Sequence, residues 1–308
     1  MRVVLVGQAA FGQSVLQGLL AAGHEVAAVY ALPESKGRKD PLAVEGEKAG
    51  LTVRTPASYK TPEVAAEVAA LGADLGVLAF VTKIIPPAVF EAPRLGTLCF
   101  HPSLLPRYRG GSALAWQIVR GETRGGYTVF WTDAGIDTGP ILLQEEIAIG
   151  PDDTAGSFYF DKVFAAGVAG VVRAVDLVAA GNPPRIVQDE RLATYDPLYT
   201  DQHAGVRWDR PVREVHDLIR GCDPQPGAHT TCRGQMLRLY DARRVADDSR
   251  GATPGTILAI DERGLVLAAG SGADAGAIAL GRVRGAGAKV KSAEYAAEQK
   301  LAASERLG

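Results

Sequence analysis

A histidine and an aspartate, each placed just after a predicted buried strand, are the residues of this chain best suited to proton chemistry. His101 ends the apolar run 96–100, and Asp137 lies in the polar loop 133–139 that follows the run 127–132. An imidazole near neutral pH can donate a proton or stabilise an oxyanion. A carboxylate beside it can orient the ring or accept a proton from a nucleophile.

The two loops are expected to meet, because ligands of open α/β sheets bind beyond the carboxyl ends of the strands. Two polar loops that converge on one crevice indicate a site more strongly than either loop alone. Taken separately, each loop has a structural alternative: a single histidine is often structural, and 133–139 is also typical of an Asx-type turn. The tripeptide at 137–139, Asp-Thr-Gly, occurs in aspartic proteases, but those need two such aspartates and this chain has one.

Two further groups indicate chemistry more weakly. The loop 7–12 follows the first predicted strand but lacks the second glycine of a dinucleotide motif, so it is either a tight turn or the lining of a substrate cleft. Cys222, His229 and Cys232 supply three metal ligands at irregular spacing, whereas a structural zinc site needs four. We therefore expect no metal.

The elements that must position these residues follow a βαβ pattern in the first half of the chain. Strands are predicted at 1–7, 24–30, 51–54, 74–80, 96–100, 127–132 and 141–149, with helices at 13–22, 63–71 and 112–120. This order predicts an α/β fold with a mostly parallel, Rossmann-like sheet and helices on both faces. One long helix is predicted over 154–180, ending at the Gly-Asn-Pro-Pro stretch 181–184.

The composition changes after that stretch, and we place a domain boundary near residue 200. Residues 1–200 would form the catalytic domain and 201–308 a smaller C-terminal domain. A helix is predicted at 213–220, followed by short β-rich pieces at 236–240, 255–260, 265–269 and 277–281 between glycines and prolines. This pattern is typical of a small barrel, here OB-like. The tail 292–307 is interpreted as a terminal helix or the start of a linker.

Composition and charge exclude several classes of partner. The net charge is −2, and residues 201–308 carry 16 Lys and Arg against 14 Asp and Glu, which gives no case for nucleic acid or an anionic membrane. No apolar run reaches the roughly 18 residues of a membrane span. Three cysteines do not make a disulfide framework, and no signal sequence is evident. We expect a cytoplasmic protein with reduced cysteines.

Read together, the two motifs resemble the folate-dependent formyltransferase family. The shared pattern is His101, then Ser-Leu-Leu-Pro at 103–106, Arg109-Gly110, and Asp-x-Gly-x-Asp-Thr-Gly at 133–139. The similarity is strongest to one subgroup, the amino-terminal hydrolase domains of 10-formyltetrahydrofolate dehydrogenases. It extends over essentially the whole chain, at 7–13, 23–26, 40–42, Trp131, 208–209, 219–221 and 226–228.

The resemblance implies both a reaction and a set of site residues. The reaction is removal of the formyl group from 10-formyltetrahydrofolate, with transfer to water or to the thiol of a phosphopantetheine carrier domain or protein. Tetrahydrofolate is released, and no metal takes part. His101 and Asp137 would be catalytic. The folate-binding residues would be Lys83, Ile84 and Ile85 in one loop, and Asp133, Gly135 and Asp137 in another, where the backbone would hold the pterin.

One departure from the family pattern bears on the formyl acceptor. Amine-formylating members have an asparagine two positions before the histidine, where it binds the formyl oxygen, and this chain has Cys99. A thiol is a poor hydrogen-bond donor. The departure favours the hydrolase subgroup over the alternative, transfer to an amine of a sugar nucleotide or of methionyl-tRNA. A non-catalytic folate-binding regulator is a third hypothesis, against which the intact His101–Asp137 pair argues. The acceptor and the oligomeric state stay open.

Overall fold

The computed structural model of the chain describes residues 1–246, 249 and 251–308. These residues form two compact units that are interleaved along the sequence. Unit one comprises Met1–Gly110, Gly126–Ile147 and Asp161–Tyr195, and unit two comprises Gly111–Gly125, Ala148–Phe160 and Asp196–Gly308. The division into domains 1–200 and 201–308 stays a prediction.

A seven-stranded sheet organises unit one. Its strands are β1 (Arg2–Gly7), β2 (Glu25–Tyr30), β3 (Val53–Arg54), β4 (Leu75–Ala79), β5 (Thr97–His101), β6 (Arg124–Trp131) and β7 (Ile141–Ala148). The strand order is β3-β2-β1-β4-β5-β6-β7. Strands β1 to β5 pair in parallel and β6 runs antiparallel to β5. The predicted mostly parallel sheet is confirmed, and its order reverses between β1 and β4, where such sheets bind ligands.

The helices of the two units include two, α2 and α4, that the sequence pattern did not predict. The full set is α1 (Ala9–Ala21), α2 (Pro41–Lys48), α3 (Pro62–Ala70), α4 (Pro87–Phe90), α5 (Ala113–Val119), α6 (Ala155–Ser157), α7 (Phe164–Ala179), α8 (Val212–Gly221) and α9 (Ser292–Glu298). The unpredicted α2 and α4 begin with proline, whose fixed φ suits the first helical position. The helix predicted over 154–180 is present but contains a wider π-helical segment, Phe158–Val163, between α6 and α7.

The core of unit one explains why its strands are continuously apolar. In β1, the side chains of Val3, Val4, Leu5 and Val6 are all buried. A parallel sheet with helices on both faces leaves neither side of a central strand in water, so period-two alternation is lost. This is the pattern that predicted the fold.

Unit two contains a separate antiparallel sheet, which confirms the change of fold type in the C-terminal part. Its strands are β8 (Ala228–Cys232), β9 (Gln235–Val245), β10 (Ile257–Asp261), β11 (Gly264–Ala269), β12 (Gly276–Arg284) and β13 (Val290–Lys291). The order is β10-β11-β12-β9-β8, with β13 paired to β12. The tail forms α9, and Leu301 and Leu307 beyond it are buried in this unit's core, so the tail is not a linker. Among the described residues, no helix is long and apolar enough to cross a membrane.

Candidate active site

His101 is the last residue of β5, and its side chain is buried. The ring Nε2 lies 2.7 Å from the backbone oxygen of Tyr108. Because a carbonyl oxygen only accepts, Nε2 carries a proton and donates it. The other ring nitrogen, Nδ1, lies 3.5 Å from Oδ2 of Asp137. The two ring nitrogens therefore differ: Nε2 is bound to the backbone, and Nδ1 lies beside the carboxylate.

The loop that presents the Tyr108 carbonyl is itself held by hydrogen bonds. The Ser103 hydroxyl donates to the Arg107 carbonyl at 2.7 Å, and the Thr128 hydroxyl of β6 donates to the Ser103 carbonyl at 2.6 Å. The backbone N–H of Tyr108 donates to Oγ1 of Thr194 at 2.7 Å. The imidazole orientation thus depends on a loop fixed from three sides.

The Asp137 carboxylate is tied to the first motif. Its Oδ2 accepts a 2.8 Å hydrogen bond from the backbone N–H of Gly110. Asp137 has a φ of +57°, in the left-handed region that disfavours a residue with a side chain. The structure brings His101 and Asp137 together, as the sequence predicted for the two loops; their catalytic roles stay a prediction.

The rest of the second loop is built as an Asx-type turn. The Asp133 carboxylate accepts hydrogen bonds from the Gly135 N–H at 3.0 Å and from the Thr138 hydroxyl at 2.6 Å. At Gly139, a Cβ would lie 1.7 Å from the Trp131 carbonyl oxygen, so only glycine fits there. Because Oδ1 of Asp133 accepts both bonds, this carboxylate has a structural role within the loop.

The loop after β4 holds the other residues that the sequence predicted to contact folate. Lys83 Nζ donates to the carbonyl of Ala57 at 2.9 Å. The side chain of Ile84 is 71% exposed, whereas Ile85 is 8% exposed and packs in a core cluster of unit one. Of the two isoleucines, Ile84 is therefore the one whose side chain a ligand can cover.

Cys99 lies two residues before His101 on β5 and is half-buried. Its side chain packs against Leu105, Phe130 and Ile141. Burial, and then the nearby carboxylate of Asp137, raise the pKa of this thiol well above its usual range. Cys99 is therefore a neutral thiol near pH 7, which makes it a weak nucleophile and a weak hydrogen-bond donor.

The loop after β1 does not have the form of a phosphate-binding loop. Both carboxylate oxygens of Asp40 accept from the backbone N–H of Ala9, at 3.0 and 2.9 Å, and one also accepts from the N–H of Leu42. Asp40 thus occupies the N-terminus of α1, where a phosphate would bind. A phosphate therefore has no place at this loop, and the choice between a tight turn and the lining of a substrate cleft stays a prediction.

The third candidate group falls in unit two. Cys222 ends up buried just after α8, where burial raises the pKa of its thiol to about 12, and Cys232 ends β8. Within the described residues, no cluster of three or more His, Cys, Asp or Glu side chains is placed to hold a metal ion.

One residue of the site was missed by sequence reasoning. Gln188 is buried, and its side-chain nitrogen donates to the carbonyl of Asp137 at 2.9 Å. It lies 51 positions after Asp137, between the Gly-Asn-Pro-Pro stretch 181–184 and the predicted domain boundary near residue 200. No periodicity or motif spacing links the two, so no local signal could have found it.

The polar loops converge at the strand ends of an open α/β sheet, and a buried histidine lies beside a carboxylate there. This arrangement is typical of α/β enzymes that bind their ligands in a crevice at the strand ends. Two family models match the chain: formyl transferase over residues 1–175, and formyl transferase, C-terminal domain, over residues 199–300. The chain belongs to the formyltransferase family, which confirms the resemblance found in the sequence.

Two relatives show which kinds of enzyme the chain is similar to. The chain is 43% identical over 247 residues to cytosolic 10-formyltetrahydrofolate dehydrogenase of Mus musculus, covering 79% of this chain and 27% of that protein. It thus spans about a quarter of that relative's length. It is 39% identical over 279 residues to methionyl-tRNA formyltransferase of Stutzerimonas stutzeri, covering 89% of this chain and 88% of that protein.

Solved structures support the fold. HypX from Aquifex aeolicus in complex with tetrahydrofolic acid superposes with a TM-score of 0.70 at 21% identity, covering 98% of this chain and 48% of that one. Glycinamide ribonucleotide transformylase 1 from Symbiobacterium toebii superposes with a TM-score of 0.53 at 25% identity, covering 61% of this chain and 93% of that one.

Proposed function

We propose that the chain removes the formyl group from 10-formyltetrahydrofolate and transfers it to water or to a carrier thiol, releasing tetrahydrofolate. The observation that carries the proposal is the pairing of His101 Nδ1 with Asp137 Oδ2 at 3.5 Å, at the end of β5, in a chain of the formyltransferase family. The similarity to 10-formyltetrahydrofolate dehydrogenases supports this formyl donor.

The two ring nitrogens of His101 have different roles in this proposal. Nε2–H stays bound to the Tyr108 carbonyl, so Nδ1–H is the proton that the imidazolium can use. It stabilises the oxyanion that develops when the acceptor attacks the formyl carbon. It then moves to N10 of the folate as the carbon–nitrogen bond breaks.

Asp137 takes the proton that the acceptor loses. With water as acceptor, a carbon–oxygen bond forms, one water proton passes to Asp137, and the tetrahedral intermediate collapses to formic acid, which ionises to formate. With a thiol, the same steps yield a formyl thioester. Each turnover leaves neutral His101 and protonated Asp137, and their 3.5 Å separation suits return of the proton directly or through one water.

We further propose that folate is held between the loops after β4 and β6. The exposed side chain of Ile84 is suited to cover an aromatic part of the ligand, and the loop from Asp133 through Gly135 to Asp137 is suited to present its backbone to the pterin. Lys83 and Ile85 would support the first loop through its backbone contacts and core packing. A formamide of this activated kind does not require a metal.

The side chain of Cys99 bears on the acceptor. Cys99 supplies no strong donor to the formyl oxygen, and losing one such donor typically slows acyl transfer by about a hundredfold or more, so we expect slow reaction with water. The alternative function is formyl transfer to an amine, of a sugar nucleotide or of methionyl-tRNA. The match to a methionyl-tRNA formyltransferase over 88% of that protein favours the alternative.

The test is the identity of the one-carbon product. Protein is incubated with 10-formyltetrahydrofolate alone, then with pantetheine, then with candidate amines including methionyl-tRNA. Formate release without an added acceptor, accelerated by the thiol, supports the proposal. Stoichiometric formylation of an amine with negligible formate contradicts it and supports the alternative, and no consumption of the folate contradicts both.

A further inference from the structure

The segment that follows α7 returns to the sheet beside the candidate site. Ile186 exchanges two backbone hydrogen bonds with Ile141, the first residue of β7, at 2.8 and 2.9 Å. This pairing fixes the register of the segment along β7. Gln188, two residues later, therefore lies against the loop that carries Asp137. The segment is thus a structural part of the site's surroundings.

The Gln188 amide uses all four of its hydrogen-bonding positions. Its Nε2 donates to the carbonyls of Asp137 at 2.9 Å and of Gly139 at 2.7 Å. Its Oε1 accepts from Nε and Nη2 of Arg109 at 3.2 and 2.8 Å. The opposite amide orientation would place oxygen against two carbonyls and N–H against a guanidinium, so the surroundings allow one orientation.

Arg109 is held in turn by a carboxylate. Its guanidinium, nearly buried, makes a bidentate contact with Glu190, with Nη1–Oε2 at 3.0 Å and Nη2–Oε1 at 2.6 Å. The Glu190 carboxylate also holds the pKa of Arg109 above its usual range. Planar, charge-assisted pairs of this kind fix geometry as well as charge. Glu190, Arg109 and Gln188 therefore form one connected support.

This support and its neighbour Gly110 hold Asp137 by hydrogen bonds at both its backbone and its side chain. Gln188 holds its backbone carbonyl, while Gly110, the neighbour of Arg109 in the chain, donates its N–H to the carboxylate. A non-glycine residue in the left-handed region is strained, and this conformation persists only where the surrounding structure holds it. At Asp137 these bonds supply that constraint, and they set the distance from the carboxylate to His101.

We propose that Gln188 is a positioning residue, which acts on the reaction through Asp137 and does not touch the substrate. This inference rests on the proposed catalytic role of Asp137. Misplacing a catalytic group by about 1 Å can cost about a hundredfold in rate. Gln188→Leu, and Gln188→Glu, which sets an oxygen against the two carbonyls, should lower kcat for formyl removal by about 10- to 100-fold, with KM changed less than about threefold.

The decisive experiment is a double-mutant cycle in the full chain, with Gln188→Leu made alone and in an Asp137→Asn background. If Gln188 acts through Asp137, adding Gln188→Leu to the Asp137→Asn variant should lower kcat by less than about threefold further. The matched control is Gln117→Leu, which removes another buried amide, one that donates to the Ala113 carbonyl in unit two. It should lower the melting temperature and leave kcat unchanged.

The outcomes separate this inference from the proposed function. Suppose that the wild-type protein is active. If the losses of kcat from Gln188→Leu and Asp137→Asn multiply in the double variant, or if Gln188→Leu leaves kcat unchanged as Gln117→Leu does, the positioning role alone is contradicted. Wild-type protein that consumes no 10-formyltetrahydrofolate with water, thiol or amine contradicts the proposed function and, with it, the inference. If only an amine is formylated, the cycle is measured with that acceptor and decides the positioning role in the same way.

Discussion

The carboxylate of Asp137 accepts a 2.8 Å hydrogen bond from the backbone N–H of Gly110, 27 positions earlier in the chain. Gly110 belongs to the motif that begins at His101, and Asp137 belongs to the second motif. The bond therefore joins the two motifs directly. It brings the carboxylate to 3.5 Å from the imidazole, the distance on which the proposed proton transfers depend.

Asp137→Asn should lower kcat for formyl removal at least about a hundredfold, because an amide cannot accept the proton of the attacking group. The asparagine oxygen can still accept from Gly110, so we expect the loop to keep its shape and folate affinity to change less than about threefold. Formate release and calorimetric binding measure the two effects. Asp176→Asn, at an aspartate paired with His24 at 3.0 Å, is the control and should stay fully active. Retention of more than about a tenth of the activity in Asp137→Asn would contradict its role.

Cys99→Ala should retain at least about half of the activity. Burial and the Asp137 carboxylate raise the pKa of this thiol, so the thiolate that a nucleophile would need is scarce near pH 7. For the same reason, iodoacetamide should label Cys99 slowly at pH 7.5. Steady-state kinetics and labelling followed by mass spectrometry check both statements. A formyl adduct on Cys99 during turnover would show that the residue is a nucleophile after all.

Asp217→Ala should lower the free energy of unfolding by about 3–5 kcal/mol, because it leaves the buried charge of Arg220 without its nearest carboxylate. In unit two, Nε and Nη2 of Arg220 each lie 2.8 Å from Oδ1 of Asp217, and both side chains are less than 10% exposed. The control is Glu214→Ala on the same helix, at an exposed pair with Arg210, where we expect less than about 1 kcal/mol. Urea unfolding of both variants measures the two free energies. If both variants lost less than about 1 kcal/mol, the prediction for Asp217 would be wrong.

His216 should make the protein less stable in mild acid. Its imidazole is buried in unit two, and burial lowers its pKa below the ordinary value of about 6.5. The unfolded chain then binds more protons than the folded chain below about pH 6.5, so stability is intact above that pH and falls as the pH drops towards the folded-state pKa. His216→Gln lacks this dependence. The stability advantage of wild type over the variant, measured at pH 7.5, 6.5 and 5.5, should therefore shrink as the pH falls; a constant difference would refute the assignment.

Much of the fold could be predicted because the responsible forces are local or repetitive. The apolar runs of β1 and β4 are continuous since both faces of a parallel sheet are covered, and each run falls between turn-forming residues. Helix α2 and strand β8 were missed for the opposite reason. The sequence PLAVEGEK shows little helical periodicity, and AHTTC is short and polar, so tertiary contacts decide their structure.

The sequence by itself determined the family, the sheet and the two residues proposed for catalysis, since these follow from residue type, spacing and order along the chain. Only the tertiary structure decided how those residues meet. It placed Asp137 on Gly110, turned Ile85 into the core while Ile84 stayed exposed, and brought Gln188 to the Asp137 carbonyl from 51 positions away. The physical reason is that a hydrogen bond between distant loops depends on where the sheet and its connections place their ends, which no local pattern encodes.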